Sequence, residues 1–225
     1  MRSSFWVSAS AAALVLVVVA AAAAASTATI RPMTRSEAHA VLQAKEWHKG
    51  CPVPFSSLRV LSVRYLGFDG RPHWGKLLVN ARVAAPLRRV FARLYAMRFP
   101  IHHMQFGDTY GPRTNLPKDG DFTASFECRE ASASPCTGAK TNKTTGSWSE
   151  HAYGEAVDLN PVENPYVGCG MTRDPTALSY LDRSRVRRGM VTRAVIAIFK
   201  DAGWGWGGSW TGSTKDYMHF SVTGH

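Results

Sequence analysis

Two short segments of the chain concentrate side chains able to hold a metal and move a proton. The first is Ser149-Glu150-His151-Ala152-Tyr153-Gly154-Glu155-Ala156-Val157-Asp158. The second is Asp216-Tyr217-Met218-His219-Phe220, preceded by the run Trp204-Gly205-Trp206-Gly207-Gly208-Ser209-Trp210. His151, Asp158 and His219 make three N/O ligands, the usual protein complement of a catalytic zinc whose fourth position holds water. Fully extended, the step from His151 to Asp158 would span up to about 25 Å, whereas donors sharing one zinc each sit about 2 Å from it. The chain must therefore fold back between them, and Gly154 is where it can do so without a Cβ penalty. Asp216 stands three residues before His219, so the two belong to one local unit, a turn or a kinked strand. A carboxylate close to the metal but not ligating it is what metal-assisted hydrolysis requires. Zinc lowers the pKa of its water to about 7, and the carboxylate takes the proton and later delivers it to the leaving amine. The spacing equally allows the inverse, with Asp216 as ligand and Asp158 as base.

These residues carry a resemblance. Ser149-x-His151-x-x-Gly154-x-Ala156-x-Asp158 resembles the S-x-H-x-x-G-x-A-x-D signature of the VanY/VanX-type zinc peptidases. These are D-alanyl-D-alanine carboxypeptidases and dipeptidases, with the related L-alanyl-D-glutamate endopeptidases. Asp216-x-x-His219-Phe220 is similar to the second motif of that family, and the run Trp204 to Trp210 is similar to the W-G-G-x-W of its endopeptidase branch. The similarity spans about residues 100 to 222. It implies zinc held by His151, Asp158 and His219, Asp216 as general base, and Ser149 beside the site on the substrate. It also implies an oxyanion-stabilising arginine upstream of the first ligand. Arg129 fits best, in a spacing that departs from the commoner S-G-x-R form, with Arg113 as runner-up. The implied substrate is the peptidoglycan stem peptide, cut at a bond involving a D-amino acid. The tryptophan run leans towards the endopeptidase branch, with Trp210 on the substrate, although Trp204, Trp206 and Trp210 equally suit a core. A competing reading is a non-catalytic, zinc-stabilised cell-wall-binding domain, since the hedgehog amino-terminal signalling domain resembles the same fold.

Elements must position these groups. Thr34-Arg35-Ser36-Glu37 fits a capping box opening a helix that runs to about Lys49, with Gly50 as the stop. Leu58 to Phe68 reads as a strand, Asp69-Gly70 as a tight turn, and Leu77 to Ala81 as the return strand. Leu87, Val90, Phe91 and Leu94 recur at helical spacing from Pro86 to Arg98, and Val191, Val195, Ile198 and Phe199 do so from Arg188 to Ala202. The stretch from Gly107 to Gly146 reads as irregular loops around a short strand near Thr123 to Cys128. The expectation is a single α+β domain, residues 26–225, with a small antiparallel sheet flanked by helices, hedgehog/D-Ala-D-Ala peptidase-like.

The address and charge narrow the partners. Arg2 is the only charged side chain before Arg31, and Ala11 to Ala25 is an unbroken apolar run. That suits a secretory h-region better than a membrane span, with residues 1–25 as signal peptide and Ala23-Ala24-Ala25 as cleavage pattern. The 225 residues carry 27 Lys and Arg against 16 Asp and Glu, a formal charge of +11. On an exported, extracytoplasmic protein this favours anionic cell-wall polymers over nucleic acid. No stable membrane insertion after cleavage and a monomeric state are expected. An even four cysteines in an oxidising compartment suggest disulfides, with a lean to Cys128–Cys136 and Cys51–Cys169. The remaining histidines, His39, His48, His73, His102 and His103, read as structural, and His225 as mobile. The arginines at 183, 185, 187 and 188 read as a solvated face.

Overall fold

The computed structural model describes residues 28–106, 119–137 and 144–225. The expected signal peptide at 1–25 and Arg113 lie outside the described residues. Helices and small antiparallel sheets are mixed, as an α+β reading requires. Among the described residues no helix is long and apolar enough to cross a membrane.

The largest unit is a hairpin of strands Leu58–Gly67 and Pro72–Asn80, in register from Leu58 opposite Asn80 to Leu66 opposite Pro72. The strand Thr29–Arg31 adds antiparallel on one edge, and Pro100–Ile101 pairs parallel with Leu66 and Gly67. Alternation sends successive side chains to opposite faces, and here both faces are covered. Leu61, Val63, Leu77 and Val79 pack on helices Ala81–Ala96 and Arg193–Asp201, through Leu87, Phe91, Leu94 and Phe199. Leu58, Val60 and Leu78 pack on Val41, Val53, Phe126 and Cys128. Double burial explains why these strands read as nearly continuous apolar runs.

Helix ends differ from the sequence expectation for local reasons. The capping box forms as read: Thr34 Oγ1 accepts from Glu37 N–H, and the Glu37 carboxylate accepts from Thr34 N–H. The helix, however, spans only Arg35–Gln43 rather than reaching Lys49. Lys45 takes the left-handed conformation (φ 58°), Glu46 N–H bonds to Val41 carbonyl, and Lys45 N–H bonds to Leu42 carbonyl. That is a Schellman closure in which a lysine holds the place glycine usually takes. The next helix begins at Ala81, five residues before Pro86, because Asn80 is its N-cap, its side chain accepting from Arg82 N–H at 3.2 Å. The last helix, Arg193–Asp201, starts later than expected. The strand expected over Thr123 to Cys128 covers Phe122–Thr123, with Ala124 bridging to Asp158.

The disulfide pairing corrects the sequence lean. Cys51 bonds Cys128 and Cys136 bonds Cys169. Cys128 is carried back to the end of the first helix, where its N–H bonds to Glu46 carbonyl. Cys136 is carried instead to the Tyr166–Gly168 strand, where a Cβ on Gly168 would sit 2.7 Å from Cys136 N. Proximity in space, which loop length does not reveal, decides the pairs. The arginine cluster is also more than a solvated face. Arg183 is half-buried, donates to Glu163 carbonyl and Asn164 Oδ1, and stacks over Tyr217 at 4.6 Å. Arg187 and Arg188 lie over the rings of Tyr180 and Phe68.

Candidate metal centre and active site

His151 is delivered by a single 3-10 turn, Glu150–Tyr153, capped by Ser149, whose Oγ accepts from His151 N–H at 3.3 Å. The turn stops at Gly154, at φ +69°, and a Cβ there would lie 2.7 Å from Asn80 N. Glycine is needed twice over, for the left-handed bend and for the close approach. Asn80 fixes this junction: its N–H donates to Gly154 carbonyl at 2.9 Å, and its Nδ2 to Tyr153 carbonyl and Glu155 Oε1. The chain then enters the strand Ala156–Asp158, which pairs antiparallel with His219–Ser221 so that Asp158 stands directly opposite His219. Phe220 of that strand stacks on Phe199 with centroids 3.8 Å apart, seating the site strand on the last helix.

The three side chains converge. Asp158 Oδ1 is 3.2 Å from His151 Nε2 and 3.2 Å from His219 Nδ1. One donor atom from each lies within 4.8 Å of the others. The outward nitrogens face carbonyls: His151 Nδ1 meets Ser125 carbonyl, and His219 Nε2 meets His225 carbonyl at 3.0 Å. A carbonyl only accepts, so each outward nitrogen carries its proton there, which orients both rings. Burial disfavours a charged His151, but the adjacent Asp158 carboxylate raises its pKa. Burial likewise opposes ionisation of Asp158, and the two imidazoles overcome it, holding the carboxyl well below the usual range. Two imidazoles and one carboxylate are the donor set that zinc prefers.

Asp216 reaches the same cavity from another sheet. It ends the strand Thr214–Asp216, paired with Tyr166–Gly168, and the chain kinks through Tyr217 and Met218 before His219. Asp216 Oδ1 is buried with no hydrogen-bond partner. Burial, followed by the charge of Asp158, pushes its carboxyl up to about 7. Gly207 lets the tryptophan run pass close by, since a Cβ there would lie 2.6 Å from Asp216 carbonyl.

The cavity holds about 300 Å³, and Arg129, Ser149 and Trp210 line it with the four residues above. Arg129 Nε donates to Glu127 Oε2 at 2.8 Å. The tryptophans divide: Trp204 is buried in the core, Trp206 donates to Tyr217 carbonyl, and Trp210 lies 5.8 Å from the His219 ring. His225, expected to be mobile, also lines the cavity, its carbonyl accepting from Ser221 Oγ at 2.8 Å. Sequence reasoning missed Ser125, which acts through its carbonyl, and Tyr166, opposite Asp216 in the neighbouring strand. It also missed Glu155, which is buried and paired with Arg82.

Residues 142–222, a little over a third of the chain, match the model of the M15 peptidase family described as D-alanyl-D-alanine carboxypeptidase. The resemblance read from the two motifs is therefore shown over the segment that holds His151, Asp158, Asp216 and His219. Arg129 lies upstream of it. No curated protein and no solved structure matches the chain.

Proposed function

We propose that the protein is an exported zinc peptidase that hydrolyses peptidoglycan stem peptides at a D-amino-acid-containing bond. The observation that carries this reading is the convergence of His151, Asp158 and His219 within 4.8 Å beside the unpartnered Oδ1 of Asp216. The three ligands would hold Zn2+, which supplies an acidified water and polarises the scissile carbonyl. Asp216, whose carboxyl sits up near 7, is poised to accept a proton and return it to the leaving amine. Arg129 presents a guanidinium to the cavity, suited to a developing oxyanion or to the terminal carboxylate of the substrate. Trp210 offers an apolar wall. Ser149 Oγ accepts from His151 N–H in capping the turn, which leaves its hydroxyl proton to donate to substrate.

The matched family's description favours terminal D-Ala as the leaving group over the endopeptidase bond towards which the tryptophan run leans. The fold belongs with that of the D-Ala-D-Ala peptidases, the location is extracytoplasmic, and the basic surface retains the protein on anionic wall polymers.

Mass spectrometry of a defined pentapeptide muropeptide, incubated with and without a zinc chelator, tests this. Chelator-sensitive loss of one D-Ala is expected. Cleavage at L-Ala–D-Glu would reassign the bond. An untouched substrate with zinc bound would overturn the peptidase and leave a wall-binding domain.

A further inference from the structure

A second cluster of ligating side chains lies outside the centre described above. His102 and His103 are adjacent in sequence, and in a regular strand they would point to opposite faces. A bend at His102, between strands Pro100–Ile101 and His103–Met104, breaks that alternation. The two rings consequently stack at 4.5 Å and face the same way. Phe68 and Phe122 flank the pair at 4.9 and 5.2 Å, and His102 N–H is tied to Asn160 Oδ1.

Opposite the rings are Asp119 and Asp121. Donor atoms of His102, His103 and Asp119 all lie within 4.8 Å of one another. Asp119 Oδ2 is 3.1 Å from His103 Nε2 and 3.8 Å from His102 Nδ1. Asp121 is buried to 1% exposure, with Oδ1 accepting from Val162 N–H. Its Oδ2 comes within 2.7 Å of His102 Nδ1, an ion pair when that imidazole is protonated, and neither atom makes a hydrogen bond to another group. Beside it the Glu163 carboxyl is also buried, and burial, together with the adjoining Asp121 carboxyl, pushes it up to about 8. Among the described residues no Lys or Arg pairs with these three carboxylates. Buried carboxyls crowded together with no Lys or Arg paired to them are costly to ionise, and a cation among them would remove that cost.

We propose that His102, His103, Asp119 and Asp121 form a second divalent-metal site, with Glu163 at its inner edge. Two imidazole nitrogens with carboxylate oxygens select a borderline ion of the zinc class, rather than calcium or magnesium, which take oxygen ligands. The four proposed ligands precede residue 142 and so lie outside the matched segment. Its role is a clip. It joins the Pro100–Met104 segment to the chain leaving Asp121, which three residues on bridges Asp158 and, at Ser125, accepts from His151.

Equilibrium dialysis of the full chain against Zn2+, with metal counted by mass spectrometry, tests the site. The unaltered chain should hold two equivalents. A His103→Ala/Asp119→Asn variant, altered at partly exposed positions that do not enter the core, should hold one and keep its hydrolytic activity in zinc. A His151→Ala/His219→Ala variant should also hold one, and its melting temperature should still rise with Zn2+ until His103→Ala is added. Unchanged stoichiometry in His103→Ala/Asp119→Asn would overturn the second site while leaving the peptidase reading intact. Two equivalents remaining in His151→Ala/His219→Ala would do the reverse.

Discussion

The hairpin half and the site half of this molecule are held together by different means. In the hairpin half, strands of nine and ten residues place Leu61, Leu77, Leu78 and Val79 at 0% exposure, with two helices on one face and Val41, Val53 and Phe126 on the other. Position there follows from apolar periodicity, repeated often enough that no single contact decides it. In the site half the strands are two to five residues long, and position rests on single polar contacts, glycine approaches and one strand register. Stability should therefore be concentrated in the first half and activity in the second.

The sharpest way to break that division is Asp216→Asn. It neutralises a carboxyl whose Oδ1 is buried without a partner, so hydrolysis of the stem peptide should fall by about 10²–10⁴-fold with thermal stability equal or higher; a rate within tenfold of the unaltered protein would remove Asp216 as the proton carrier. Leu77→Ala acts in the opposite sense. It should cost about 2–5 kcal/mol in chemical denaturation, while kcat per folded molecule stays close to normal. Asn80→Ala tests the seam, since Asn80 both caps a helix and holds the Gly154 turn. It should cost about 1–2 kcal/mol and also reduce kcat, and an effect on stability alone would detach the hairpin from the site.

A further test concerns pH. Glu37 is buried at 3% exposure. Its hydrogen bonds and charge pairing with Arg31, helped by Thr34 and Lys76, outweigh burial and hold its carboxyl well below the usual range. A depressed folded pKa means the contribution is present above the unfolded value of about 4.3 and is lost as pH falls through the folded value. Glu37→Gln should cost about 1–3 kcal/mol at pH 7 and flatten the decline of stability below pH 4. An acid limb unchanged by the substitution would assign that decline to other carboxyls.

What could be read beforehand follows the same division. The Thr34/Glu37 box, the Asp69-Gly70 turn and the Leu87-Val90-Phe91-Leu94 stripe have signatures in side-chain type and spacing, and they lie in the hairpin half. The fold-back at Gly154 was legible because geometry forces it once His151 and Asp158 are to meet. Contacts made through the main chain were not, and Ser125 carbonyl on His151 is the clearest case. Lys45 in a left-handed conformation, Asn80 starting a helix ahead of Pro86, and the two disulfide pairs depend on what lies nearby in space. No residue type announces them.

The pairing of Asp158 with His219 has a further consequence. The two are 61 residues apart in the chain, yet their relative position is set by one step of antiparallel register. Insertions or deletions between them that spare the two strands leave that step untouched. The cavity rim can thus be lengthened, shortened or exchanged by recombination while the centre keeps its spacing. Substrate range and metal geometry are, in this architecture, separately evolvable.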